Sequence, residues 1–331
     1  MSKGVRVPVP GTGLLATALL LIMMVMPNWA GAQRLAYTKG EPLFPAYEGW
    51  TDHADGSRSF LFGYMNENWE QTLNIPVGEN NYFSPAPQDQ GQPTYFLPRR
   101  NRFVFEVPVP EGFGEEDEFT WTVQANGHSY SAHATLRQDY YVDNVVIMSE
   151  TGALGAGTSS PEIRANEPPA IALEGREQLR STRVGQALTL VAKVTDDGQP
   201  PAEGFRNATA PEPDATSEEL LQRALTQTSG STVAKAVGLH FTWTVYRGPG
   251  DAVAFDPPQI KPWEDTRQFA NSPWAPYWVP PELRKPSELP EDGRWHTEVV
   301  FQQPGTYVLR GRADDGGLFA DQYVTVQVAA D

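Results

Sequence analysis

Two Asp-Asp-Gly triplets, Asp196-Asp197-Gly198 and Asp314-Asp315-Gly316, are the acids of this 331-residue chain most suggestive of a site. Adjacent carboxylates repel unless a cation neutralises them, and Ca²⁺ accepts about six to eight hard oxygens in a forgiving geometry. Asp321 lies a few residues beyond the second triplet. The same residues equally suit turn chemistry with the carboxylates facing water, and no D-x-D-x-D-G loop favours the metal. Calcium at Asp196, Asp197, Asp314 and Asp315 is therefore one of two readings.

A second constellation is aromatic. Four of the nine Trp, at 263, 274, 278 and 295, fall with Tyr277 in a proline-rich stretch. Rings held out on a stiff loop can stack on sugar faces or anchor a protein partner. Such rings can also fold back as the loop's own small core. Trp263, Trp274, Tyr277, Trp278 and Trp295 are the candidate binding residues.

Arg99, Arg100 and Arg102 form a cationic knot that suits a carboxylate or phosphate clamp, or pairing with the acidic run Glu115-Glu116-Asp117-Glu118. Residues 65–70, Met-Asn-Glu-Asn-Trp-Glu, combine hydrogen-bonding groups with an indole, as a site or as a turn over a core ring. The five His show no H-x-x-x-H spacing, and His128 and His133 are an odd number apart, hence on opposite faces of a strand. Nucleophile-elbow, Walker and dinucleotide motifs do not occur. Acids are plentiful enough for a glycoside-hydrolase pair, so a glycan-active hydrolase stands as a lesser alternative to a non-catalytic module.

The elements that would position these residues can be read from composition and periodicity. Gly and Pro number 29 and 30, which favours turns over long helices, while 40% apolar content supplies a core. The absence of Cys excludes disulfide scaffolds, thiolate metal sites and cysteine nucleophiles. Lys3 and Arg6 precede an apolar run, Leu14–Met26, which ends at Pro27 before Ala30-Gly31-Ala32. This is the pattern of a secretory signal cleaved after Ala32. At about 1.5 Å per residue the run reaches only about 20 Å, short of the roughly 30 Å hydrocarbon core. Cleavage makes a chain of formal charge −16 more acidic still, which excludes nucleic acid and anionic lipid as partners. The expected location is the periplasm or the cell surface.

Residues 149–167 have linker composition, dividing an N-terminal domain (33–148) from a C-terminal one (168–331). Phe60/Phe62/Tyr64, Leu73/Ile75/Val77, Phe103/Phe105/Val107/Val109 and Phe119/Trp121/Val123 alternate with period two. Asn126-Gly127, the strongest short hairpin signal, leads into Tyr130, Ala132, Ala134 and Leu136 on one face. The C-terminal half offers strands near 187–195, 239–246, 252–255, 297–301, 306–313 and 319–328, with one helix expected over Glu218–Leu225 behind a capping box. The pentapeptide Phe-Thr-Trp-Thr-Val occurs at 119–123 and 241–245, through duplication or shared strand vocabulary. The expected fold class is all-β, two tandem antiparallel β-sandwiches.

The string from Phe241 to Gly250, with Val253-Ala-Phe255, Pro304–Arg310, Ala313-Asp-Asp-Gly316 and Val324–Val328, resembles a bacterial polycystic-kidney-disease-type (PKD) immunoglobulin-like domain. The resemblance covers about residues 168–331 and implies a seven-stranded sandwich; such modules space, dock or adhere. Insertions near 199–238 and 257–295 depart from the compact family pattern. The N-terminal half, through Gly63–Trp69, is similar to uncharacterised secreted bacterial proteins. Alternating strand directions place both insertions and both Asp-Asp-Gly turns at one pole of this sandwich, where loops on a rigid scaffold are suited to binding. The expected role is a non-catalytic module contacting an envelope protein there, with glycan binding by the Trp-rich insertion as the alternative.

Overall fold

In the computed structural model of the chain, the described residues are 38–85, 87–151, 160–175, 179–202, 204–205, 216, 236–264 and 288–330. The segment read as a secretory signal, the helix expected at 218–225, and Trp274, Tyr277 and Trp278 lie outside them. Residues 38–331 form one compact unit.

The N-terminal half contains β1 (Leu43–Asp52), β2 (Arg58–Asn66), β3 (Leu73–Asn74), β4 (Asn81–Ser84), β5 (Tyr95–Phe96), β6 (Arg99–Pro108), β7 (Phe119–Ala125) and β8 (His128–Ala134). Sheets ordered β1-β2-β6 and β4-β7-β8 enclose a core of Phe60, Phe62, Phe83, Phe105, Phe119 and Trp121. The hairpin between β7 and β8 turns at Asn126 (φ 49°) and Gly127 (φ 79°), the two positive values its sequence signal requires. Strand β1 carries no alternating signal: it holds Pro45 and a bulge between Tyr47 and Gly49. It is tolerated because β1 is an edge strand.

The described parts of the connector are partly helical. Helix α1 (Asn144–Thr151) and the short α2 (Pro161–Arg164) flank residues 152–159. Ser160 caps α2 by accepting from Ile163 N. Met148 of α1 packs with Leu318, and Ile147 lies against both that pair and the Leu61–Phe103–Val142 cluster.

The C-terminal half contains β9 (Ala170–Leu173), β10 (Leu179–Arg183), β11 (Leu188–Thr195), β12 (Gly204–Phe205), β13 (Ala236–Val237), β14 (His240–Arg247), β15 (Val253–Asp256), β16 (Arg294–Phe301), β17 (Gly305–Asp314) and β18 (Phe319–Ala329). Its two four-stranded sheets run β15-β16-β11-β9 and β10-β18-β17-β14, and β10 pairs parallel with β18. Two further details are those of an immunoglobulin-type sandwich: Trp243 is buried on β14, and Tyr307 near the start of β17 donates its hydroxyl back to Gln303 O at 3.0 Å.

The two pentapeptides occupy different places. Trp121 sits on the central strand of its sheet and Trp243 on an edge strand, so the repeat marks two core indoles and not equivalent positions.

Candidate functional site

On β17, Tyr307, Leu309 and Ala313 point into the core of the second sandwich, so strand parity sends Val308, Arg310, Arg312 and Asp314 to the opposite face. In an isolated sandwich that face would meet water. Here the N-terminal half covers it: Tyr246 belongs to the first sandwich's core, with Val308 and Tyr323 packed against it, while Tyr95 joins the second core. The seam so formed contains the candidate site.

One end of the seam is tied by polar contacts to the Gly248-Pro249-Gly250 turn. Thr94 N donates to Tyr246 O, Tyr246 OH to Gly91 O, and Tyr95 OH to Asp251 Oδ1 at 2.7 Å. Arg247 reaches both carboxylate oxygens of Asp89. Gly250 lies so close under the Tyr95 ring that a Cβ there would collide with it.

At the other end, β6 begins irregularly. Arg99 and Phe103 have φ of 60° and 46°, the left-handed region that non-glycine residues rarely adopt, and the β2–β6 register slips between Phe62 and Tyr64. Such a bulge re-aims side chains, and strained positions gather where placement matters. It turns Arg100, Asn101 and Arg102 toward β14, β17 and the segment 261–264, where they line a cavity of about 60 Å³ with Lys261, Glu264, Arg310 and Arg312. Arg100 bonds Glu48 at 2.7 Å, and Arg102 bonds Glu264 and Glu150. The expected pairing of this knot with residues 115–118 is thus corrected; Glu118 instead meets His133. Arg99 donates to Glu67 O and lies over the Trp69 ring, closing the polar turn read at 65–70, where the buried Asn66 accepts from Asn68.

Lys261 Nζ donates to Pro98 O, Arg100 O and Asn101 Oδ1 at 2.6, 2.9 and 3.0 Å. Burial pushes its pKa down to about 7; Glu264 opposes the shift, and Arg99, Arg100 and Arg310 add to it. Three acceptors match the three donors of an ammonium, which makes Lys261 a pin between the halves. Asp321 accepts from Arg310 Nε and from Arg312 Nε, both at 2.9 Å, and from Arg312 Nη2 at 2.7 Å. Burial works against its charge, yet the two guanidiniums outweigh it and hold the pKa below the usual carboxylate value. Asp321 therefore serves this network and not the Asp-Asp-Gly pole. Arg312 also donates to Arg102 O and Phe103 O across the seam.

The pole is assembled as alternating strand directions require: Gly238 N donates to Asp315 O, Val194 N to Gly293 O, and His240 contacts Ile260 O. Its four aspartates stay in two pairs. Asp196 and Asp197 accept from Gly198 N and Gln199 N, and Asp197 also from Glu167 N. The buried Asp314 accepts from Gly316 N; the buried Asp315 accepts from Gly317 N, Leu318 N and Asn166 Nδ2. Burial, reinforced by Asp314, pushes the Asp315 pKa up to about 7 against the Asn166 hydrogen bond. Among the described residues no three His, Asp or Glu side chains converge as a metal site. Each of the four carboxylates accepts at least one backbone N–H within its own turn.

The aromatic set is divided. Trp295 is a core residue of β16, packed near Phe241, because its strand parity faces inward; it is withdrawn as a binding ring. Trp263 is half-buried with the Lys261 ammonium 4.7 Å from its ring centroid. Two His clusters resemble catalytic sets without relay geometry: His53 Nε2 faces both Ser59 and Glu106, and His133 Nδ1 both Thr120 and Glu118. A relay needs hydroxyl and carboxylate on opposite ring nitrogens. Sequence reading missed Arg310 and Arg312, whose only signal was charge at alternate positions of a strand, and Lys261, which lies outside any strand and gave none.

No protein-family model matches the sequence, nor does any curated protein. Solved structures with similar arrangements include domains 4 and 5 of the S-layer protein SbsC (9% identity over 68% of this chain and 69% of that one, TM-score 0.22). Tandem Ig repeats of Dlar are 9% identical over 88% and 98% of the chains, with TM-score 0.26. Fibronectin(III)-like modules of Clostridium thermocellum CbhA are 7% identical over 87% and 95%, with TM-score 0.20.

Proposed function

We propose that this chain is an exported, non-catalytic contact module of the bacterial envelope, in the periplasm or at the cell surface, which presents one loop-bearing pole of its second sandwich to a protein partner. The observation that carries this reading is the seam. Tyr95, Tyr246, Arg247, Lys261 and Arg312 join the sandwiches through core contacts and hydrogen bonds in both directions. The pole is then held on one rigid body, which lowers the ordering cost of binding. The His clusters lack relay geometry, and the strongest charges of the cavity are engaged with one another, an arrangement suited to holding parts in place.

Chemical crosslinking in intact cells, followed by recovery of the tagged chain from envelope fractions, tests this. One partner band is expected, lost in the Trp274→Ala/Tyr277→Ala/Trp278→Ala variant while the melting temperature is kept. Recovery unaffected by that variant would remove the insertion from the interface. Retention of the chain on polysaccharide gels, abolished by the same variant and with no crosslinked partner, would transfer the role to glycan binding.

A further inference from the structure

We infer that the seam cavity is a binding site for a small oxyanion of the phosphate, sulfate or carboxylate class, gripped by Arg310. Three features of the molecule support it. First, Arg310 is 9% exposed and donates through Nε alone, to Asp321; among the described residues its two Nη nitrogens have no acceptor, and it lines the cavity. The unengaged edge of this guanidinium therefore leaves two donor nitrogens for a ligand in the cavity, and hydrogen bonds to a charged donor are among the stronger ones.

Second, the cations of the lining are not paired one to one with acids. Arg310 and Arg312 share the single carboxylate of Asp321. Arg100 pairs with Glu48 and Arg102 with Glu264 and Glu150, whereas Lys261 is held by the neutral oxygens of Pro98, Arg100 and Asn101. Glu264 is bound to Arg102, and Asp314 accepts from the Gly316 amide.

Third, the size and donors fit. A cavity of about 60 Å³ exceeds the roughly 10–15 Å³ that one water needs and suits an ion of a few heavy atoms. Planar Arg donors match the oxygens of carboxylate and phosphate in pairs, and Arg102 Nη2, also without an acceptor among the described residues, supplies a further donor from the opposite wall. The strained start of β6, which brings Arg102 here, then has a role beyond joining the halves.

The test uses the full chain at fixed ionic strength in sodium chloride, with phosphate, sulfate or acetate substituted stepwise and binding read by thermal shift and isothermal titration calorimetry. One-to-one saturable binding of at least one ion is expected, with a melting temperature rise of several degrees at about 100 times its Kd. Arg310→Lys keeps the ion pair with Asp321 but removes the fork; it should weaken binding at least tenfold with an unchanged fold by circular dichroism. Arg102→Lys, on the other wall, should weaken it less. Binding absent for all three ions, non-saturating, or equal in Arg310→Lys would overturn the proposal. If Arg310→Lys fails to fold, competition between ions in the parent protein decides: ions of this class must displace one another.

Discussion

The same five residues, Phe-Thr-Trp-Thr-Val, build the centre of both sandwiches, yet the two indoles have different company. Trp121 Nε1 donates to Asn81 Oδ1 at 2.9 Å, and Asn81 Nδ2 donates in turn to Ile75 O and Pro93 O. Trp243 is as deeply buried, and its Nε1 has no acceptor among the described residues. The first sandwich contains a satisfied polar hub; the second stabilises itself by apolar packing and by the seam. Local sequence thus chose the residue that fills each core, while neighbours far along the chain decided whether its polar edge was satisfied.

Replacing Asn81 by Leu should break the contrast most strongly, since it leaves the Trp121 N–H and two buried carbonyls unpaired. A loss of about 3 kcal/mol or more in urea unfolding is expected, as each orphaned group costs about 1–3 kcal/mol. Asp321→Ala should cost a comparable 3–5 kcal/mol, because it strands two buried guanidiniums. Trp121→Phe and Trp243→Phe remove similar apolar area. Only the first orphans a partner, so it should be the more destabilising by about 1–2 kcal/mol; equal losses would show that the hub contributes nothing.

Asp315 sharpens the comparison through pH. Its carboxyl is raised from 3.8 to about 7 in the folded chain, so the folded state binds the proton more tightly than the unfolded one. The resulting stability is fully present below about pH 4 and is lost as pH rises through about 7. In Asp315→Asn that dependence should vanish, and the melting-temperature difference between the two proteins should change between pH 5 and 8. The smallest effect is expected at Asp89, whose half-exposed pair with Arg247 is worth about 1 kcal/mol or less.

Much of the second sandwich was legible because its strands alternate cleanly and its turns are marked by Gly and Pro. Strand β1 was not, since Pro45 and the bulge at Gly49 interrupt its pattern. Strand β10, with three of its five residues exposed and none buried, escaped for the opposite reason. The Asp-Asp-Gly turns were correctly placed at one pole, and the turn chemistry that was one of their two readings is seen in backbone amides within two or three residues that donate to Asp314 and Asp315.

By itself the sequence determined an acidic all-β chain with two Trp-centred sandwiches, because period two, turn residues and the absence of Cys act over a few residues at a time. Only the tertiary structure decided that the outer face of β17 and β18 is interior. Parity places Arg310, Arg312 and Asp321 away from their own core, and no local pattern records that Arg100, Arg102 and Lys261 arrive from elsewhere in the chain to cover them. Burial of charge is settled by what packs across a face, and that partner lies some two hundred residues away.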